Sequence, residues 1–282
     1  MNGDPERMLI CRAVDHVMLR LQETEPLLSL LTETLCLPVT WPLQRSEFAS
    51  FAWVHVGNTN LELWAARNNG DLPDDVLLPL IHGLALAPDK LAFSVTELER
   101  RGVACKEARS FQTVNFDGQL VTNFTNSVIL ELSSSACCNF FCEWGAQASI
   151  VPWSTGLSAI HRYQAERHRF SESGGGPLGL VRLARVEMSC PDAERMRNHW
   201  RTIAQSFKSA PLEIDGIALD VSPGELHQIH SLSFEVRSLN EARICLEDRG
   251  LLGKNTPTTV TLSEQATGGL VFHFAEAGAT AY

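Results

Sequence analysis

Residues 82–103 and 230–251 follow one pattern. Each copy opens on a His and carries a Gly 20 positions later, His82 to Gly102 and His230 to Gly250. Between them Leu84, Leu91, Leu98, Glu99 and Arg101 fall on Leu232, Leu239, Leu246, Glu247 and Arg249. An internal repeat constrains a fold more than composition does, because each copy has to build the same supersecondary unit. Here each copy reads as a short strand followed by an amphipathic helix that ends at the Gly.

With 282 residues there is room for two ordinary cores, and 44% hydrophobic against 20% charged residues is a globular composition. A formal charge of -10 argues against nucleic acid and against an anionic membrane surface as partners. The opening Met-Asn-Gly-Asp-Pro-Glu-Arg has no apolar signal core. The longest apolar stretch, Val76 to Ala87, is broken by Pro79 and His82. The expected setting is therefore cytoplasmic, with the eight cysteines reduced. Cys137 and Cys138 are adjacent, and no Cys-x-x-Cys pair offers a thiolate zinc site.

Alternation over 14–21 predicts a strand with His16, Met18 and Arg20 on one face and Val17, Leu19 and Leu21 on the other. A leucine-rich helix is expected over 23–35, then strands near 39–44, 48–56 and 59–65, the last two joined at Gly57-Asn58. The second unit has a strand at 81–87, a helix at 89–101 and strands near 111–116, 119–132 and 138–144. A connector, 151–176, holds a helix over 157–169 whose Arg- and His-rich part reads as a solvated face. Gly174, Gly176 and Gly179 match a dinucleotide fingerprint in spacing only, since they follow a polar segment and precede a strand. The third unit has a strand at 180–189, a helix at 191–207 and strands to 221. The fourth has a strand at 229–236, a helix at 238–249 and strands ending at 269–274. The expected fold is α+β: four βαβββ modules paired into two curved-sheet halves. The N-terminal pair spans 1–150 and the C-terminal pair 177–282.

This order of units, together with Val-Asp-His-Val at 14–17, Leu-Glu-Leu-Trp at 61–64 and Phe-Phe-Cys-Glu-Trp at 140–144, resembles the vicinal oxygen chelate superfamily. Gly-Gly-Pro-Leu-Gly-Leu-Val-Arg-Leu at 175–183 is similar to the entry into the second half of glyoxalase-like proteins. The resemblance implies a cleft between paired modules that holds a divalent metal, with ligands from the first and last strands of each module. Those positions are His16, Glu62, His82 and Glu143. Two imidazoles and two carboxylates suit Ni, Zn, Mn, Co or Fe as divalent ions. Alternation is expected to turn Phe141 with Glu143 into the cleft and Cys142 toward the helices, where its thiol is buried and inert. A slip of one residue in the small-residue strand at 81–87 would turn His82 away. In the C-terminal half the matching positions are Arg185, Asp220, His230 and His273. Arg185 repels a metal there and can neutralise Asp220, which marks a degenerate half.

The resemblance implies lyase or isomerase chemistry on a substrate with vicinal oxygens. The metal would stabilise an enediolate while Glu143 or Glu62 moved the proton. Arg20, Trp53, Trp64 and Phe141 are the expected substrate contacts. An extradiol-type dioxygenase is the nearest rival, although it needs three open positions on the metal. A non-catalytic binding or resistance protein is the rival of another class, its cleft walled by Phe51, Trp53, Trp64, Phe141 and Trp144. In each case the partner is a small molecule. A homodimer is compatible with four modules in one chain but not required by them.

Overall fold

A computed structural model describes residues 8–74, 76–153, 159–207 and 209–278. The first unit is β1 (Ala13–Arg20), α1 (Glu25–Ser29) running into a π-helical turn over Leu30–Thr34, then β2 (Val39–Arg45), β3 (Ala49–His55) and β4 (Asn60–Ala66). The second is β5 (Leu80–Ala87), α2 (Leu91–Arg100), β6 (Arg109–Val114), β7 (Leu120–Val128) and β8 (Phe140–Trp144). The connector holds α3 (Ala159–Ser173), and the start expected for it at 157 lies outside the described residues. Then come β9 (Leu180–Cys190), α4 (Ala193–Ala204), β10 (Glu213–Ile214) and β11 (Ile217–Pro223). The last unit is β12 (Gln228–Val236), α5 (Leu239–Asp248), β13 (Leu252–Asn255), β14 (Thr259–Leu262), the short α6 (Glu264–Thr267) and β15 (Val271–Glu276).

The architecture is α+β and mostly sheet. In each unit the first strand lies parallel to the last: β1 with β4, β5 with β8, β9 with β11 and β12 with β15. First strands then pair antiparallel, β1 with β5 and β9 with β12. The N-terminal strands run β2-β3-β4-β1-β5-β8-β7-β6 as an open curved sheet. A contact between Ile229 of β12 and Ile81 of β5 joins it to the C-terminal strands, so 15 strands share one sheet.

One face of this sheet carries the helices. Val14, Val17, Leu19, Leu61, Leu63, Leu84, Leu86 and Phe141 point to that side and join the main core with Leu91 and Leu98 of α2. The other face of the N-terminal sheet lines a cleft with its own small apolar cluster, Ala85, Phe140 and Cys142, packed by Met18, Phe124 and Trp144. Two bulges break the strict alternation. Val14 and His16 pair with Leu86 and Ala85, leaving Asp15 as the extra residue, and Met18 and Leu19 pair with Gly83 and Ile81, leaving His82. A bulge re-aims a side chain within a strand. Among the described residues no helix is long and apolar enough to cross a membrane.

Candidate functional site

The N-terminal cleft is a cavity of about 320 Å³ lined by His16, Met18, Arg20, Trp53, Glu62, Trp64, His82, Phe124, Asn126, Phe140, Cys142 and Trp144. Its walls are aromatic. Phe51 stacks on Trp64 from behind, ring centroids 5.8 Å apart, and Trp144 meets Phe124 edge-on at 5.4 Å. At the inner end Trp53, Trp41 and Trp153 crowd against Trp144, with centroid separations of 5.2 to 6.4 Å.

The polar corner is built on β1 and β4. Alternation brings His16 and Glu62 to the cleft face, where His16 Nε2 lies 3.4 Å from Glu62 Oε2. Trp53 Nε1 donates to Glu62 Oε1 at 3.2 Å, and the Trp53 ring sits 4.4 Å from the His16 ring. The bulge turns Asp15 inward as well, so its Oδ2 meets His16 Nδ1 at 2.8 Å and accepts from Trp144 Nε1 at 3.2 Å. Burial alone would lower the His16 pKa. The Glu62 charge and the Asp15 hydrogen bond outweigh it and push the imidazole up to about 9. His16 is therefore a cation at neutral pH, held between two carboxylates.

A group whose pKa rises on folding stabilises the fold fully below its unfolded value near 6.5, and that contribution disappears as pH climbs through about 9. Denaturant melts of the wild type and His16→Gln are expected to differ most near pH 6 and to converge above pH 9. The shift corresponds to on the order of 3 kcal/mol. A gap that widened with pH would show that His16 is buried neutral.

Behind this corner α3 packs against Asp15 and Trp144. The stretch 161–169, expected as a solvated face, is solvated at His161, Gln164, Arg167, His168 and Arg169, but its other side turns inward. Arg162 and Glu166 are 3% and 4% exposed, and Phe170 continues the same inward face. This spacing of four is one side of a helix. Arg162 Nη2 donates to Asp15 Oδ1 and Tyr163 Oη donates to the same oxygen at 2.6 Å. The guanidinium lies over the rings of Tyr163 and Trp153, 4.5 and 4.7 Å from their centroids. Burial would raise the Asp15 pKa, but Arg162 and His16 hold the carboxyl well below the ordinary range. Glu166 Oε2 accepts from Asn60 Nδ2 at 3.1 Å, and Asn60 Oδ1 accepts from Thr40 Oγ1 at 2.7 Å. The same oxygen lies 3.1 Å from His55 Nδ1, whose ring burial pushes down to about 4 and keeps neutral.

The expected four-ligand set is not assembled. His16 and Glu62 meet, but Glu143 and Phe141 face the helices. Glu143 Oε1 accepts from Leu91 N at 2.9 Å, at the first turn of α2, where the N-cap Lys90 has no side-chain cap of its own. The pairing of β8 puts Phe140, Cys142 and Trp144 on the cleft side instead. Phe141 is wholly buried in the main core. Cys142 is thus a cleft residue and not helix-packed, and burial pushes its thiol pKa well above the ordinary value. His82 keeps the cleft face through its bulge, with Nδ1 3.3 Å from Met18 Sδ. Among the described residues no three His, Cys, Asp or Glu side chains gather as metal ligands. The donors present do not fit a resident metal bound by three or four protein groups.

Glu143→Ala is accordingly expected to cost about 1 kcal/mol through the lost cap. Binding in the cleft should be unchanged. A large loss of binding with stability intact would return Glu143 to the site.

In the C-terminal half Arg185 Nη1 is paired with Asp220 Oδ2, and His230 Nε2 is engaged by Ser189 Oγ at 2.6 Å. Among the described residues Asp220, His230 and His273 do not gather as metal ligands.

Phe124, Asn126 and Phe140 of the cleft lining, and Asp15, Arg162, Tyr163 and Glu166 behind it, are site residues that sequence reasoning did not single out. Asp15 carried a signal: a carboxylate inside a strand, between the apolar Val14 and Val17, requires a buried partner.

No family model matches the sequence, and no curated protein does. Solved structures do. A mutant 4-hydroxymandelate synthase from Streptomyces coelicolor aligns at TM-score 0.58 and 12% identity, over 96% of this chain and 94% of that one. Homoprotocatechuate 2,3-dioxygenase from Arthrobacter globiformis aligns at 0.55 and 11%, over 98% and 84%. A Mn(II)-bound glyoxalase from Novosphingobium aromaticivorans aligns at 0.52 and 10%, over 94% and 82%. The chain has the fold of the vicinal oxygen chelate superfamily.

Proposed function

We propose that the N-terminal cleft binds a small, flat, largely apolar organic molecule through its aromatic walls and the His16–Glu62 pair, without a resident metal ion. One observation carries this reading. The cavity is walled by Trp53, Trp64, Phe124, Phe140 and Trp144; Arg20, His82 and Asn126 add polar edges, and of the imidazoles and carboxylates that line it only His16 and Glu62 meet. About 320 Å³ is at the lower end of the range for small-molecule pockets. Aromatic faces supply the contact area for a flat ligand. His16 can donate through Nε2 to a ligand oxygen, Glu62 can accept, and Asp15 fixes the imidazole's orientation and charge from behind.

A second reading is favoured by the same corner. An imidazole whose far nitrogen is held by a buried carboxylate is also how metal-bound histidines are oriented. In that reading His16 and Glu62 would hold a divalent ion with ligand oxygens completing its shell. The ion would supply Lewis-acid polarisation for lyase or isomerase chemistry, or for extradiol-type ring cleavage.

Calorimetric titration with 2-naphthamide, before and after dialysis against EDTA, separates the two readings. Saturable binding that survives chelation, shows a negative heat-capacity change and is lost in Cys142→Phe, which fills the cavity, supports the metal-free cleft. Absence of binding, or binding only with Mn(II) added back, would overturn it.

A further inference from the structure

Among the described residues Arg20 is the one guanidinium that lines the cleft, and it is only 5% exposed. A buried cation needs a counter-charge. None of the cleft strands provides it. The partners come from the connection between β4 and β5. Arg20 Nη1 and Nη2 donate to Asp71 Oδ2 and Oδ1 at 2.9 and 2.6 Å, a two-pronged carboxylate grip. Arg20 Nε and Nη2 donate to Asn69 Oδ1 at 3.1 and 2.9 Å. The two ends differ in environment, for the Arg20 side chain is 6% exposed and that of Asp71 is 60% exposed. A solvent-facing loop carboxylate thus reaches in to complete a buried site beside Trp64 and His82.

We propose that Asp71 is an internal stand-in for a carboxylate carried by the cleft's ligand, and that Arg20 is the group that receives it. This rests on the reading of the cleft as a small-molecule site and narrows its ligand class to aromatic monocarboxylates. The guanidinium fork matches a carboxylate edge in shape and charge. Exchange of one carboxylate for another leaves the buried site neutralised, whereas a neutral ligand would have to leave Asp71 in place. Asp71 returns to water it already touches, while the turn around it keeps its own bonds, Gly70 N to Asn68 Oδ1 at 2.8 Å and Leu72 N to Asn69 O at 2.9 Å. The ring of the ligand then lies along Trp64 and Phe124, with its other edge toward His16 and Glu62.

The test compares 2-naphthoate with 2-naphthamide by calorimetry on the full chain, as wild type, Asp71→Asn and Arg20→Met. Asp71→Asn removes the competing charge. It is expected to tighten naphthoate about tenfold while changing naphthamide less than twofold. Arg20→Met should remove any preference for naphthoate. If Asp71→Asn leaves naphthoate unchanged or weaker, Asp71 is a loop staple and the inference fails while the cleft reading stands. If neither compound binds the wild type, the cleft reading fails and takes this inference with it. Should Arg20→Met not fold, the comparison of wild type with Asp71→Asn still decides.

Discussion

Asp15→Asn is expected to destabilise the protein by about 3–5 kcal/mol, the cost of breaking a buried ion pair from one side. Asp15 is wholly buried and accepts from Arg162, Tyr163 and Trp144 while meeting His16. The neutral amide would leave Arg162 buried without its counter-charge, and Arg162 Nε and Nη1 already have no hydrogen-bond partner among the described residues. Glu166 is a poor substitute: its carboxylate stands 3.9 Å from Arg162 Nε, and burial raises its pKa. The melting temperature should fall by on the order of 10 °C. Because α3 is tied to the sheet by this carboxylate, Asp15→Asn should also raise amide exchange across 161–170 before the strands open. Arg162→Met combined with Asp15→Asn is expected to cost less than the two single changes added together. Additive losses would show that the pair is not the link between helix and cleft.

Gly83→Ala is expected to cost about 4 kcal/mol or to leave no folded protein. A Cβ there would stand 1.8 Å from Cys138 O and 2.5 Å from its carbonyl carbon. Those are backbone atoms, and Cys138 N is itself held by His82 O at 2.6 Å. No side chain can swing aside, so the β5 bulge and the segment before β8 would have to part, with the loss typical of an overpacked core at its severe end. The same close approach places His82 on the cleft. Gly83→Ala measured beside Gly102→Ala, whose Cβ would meet nothing within 4 Å, separates crowding from backbone preference. Equal losses would argue against crowding.

The fold was legible because its signals are periodic and local. The leucines of α1, the alternation of β1 and β4 and the Gly that ends α2 each state an element, and the order of elements states the pairing. The cleft was legible where strict alternation holds. His16 and Glu62 share the cleft face because β1 and β4 run in parallel register with no break between them, His16 opposite Asn60 and Met18 opposite Glu62, so the two side chains meet on the diagonal. It was not legible where tertiary contacts choose between two faces. Phe141 and Glu143 were expected in the cleft and Cys142 outside it. The order is reversed: β8 turns Glu143 to the start of α2, whose Leu91 N–H it accepts, and Phe140, Cys142 and Trp144 to the cleft. Asp15 was hidden by its bulge, since period-two reasoning sends it away from His16. Arg162 and Glu166 were hidden by composition. A helix rich in Arg and His reads as solvated until a buried carboxylate elsewhere in the chain gives its guanidinium a reason to be inside.

The most direct test of the cleft reading is anomalous diffraction from crystals grown with 2-naphthamide and an excess of Mn(II). The expected result is ring density between Trp64, Phe124 and Phe140, its amide toward His16 and Glu62, with no anomalous peak between those two side chains. An Mn(II) peak ligated by His16 and Glu62, with ligand oxygens completing its shell, would contradict the metal-free cleft and establish the metal-dependent reading in its place.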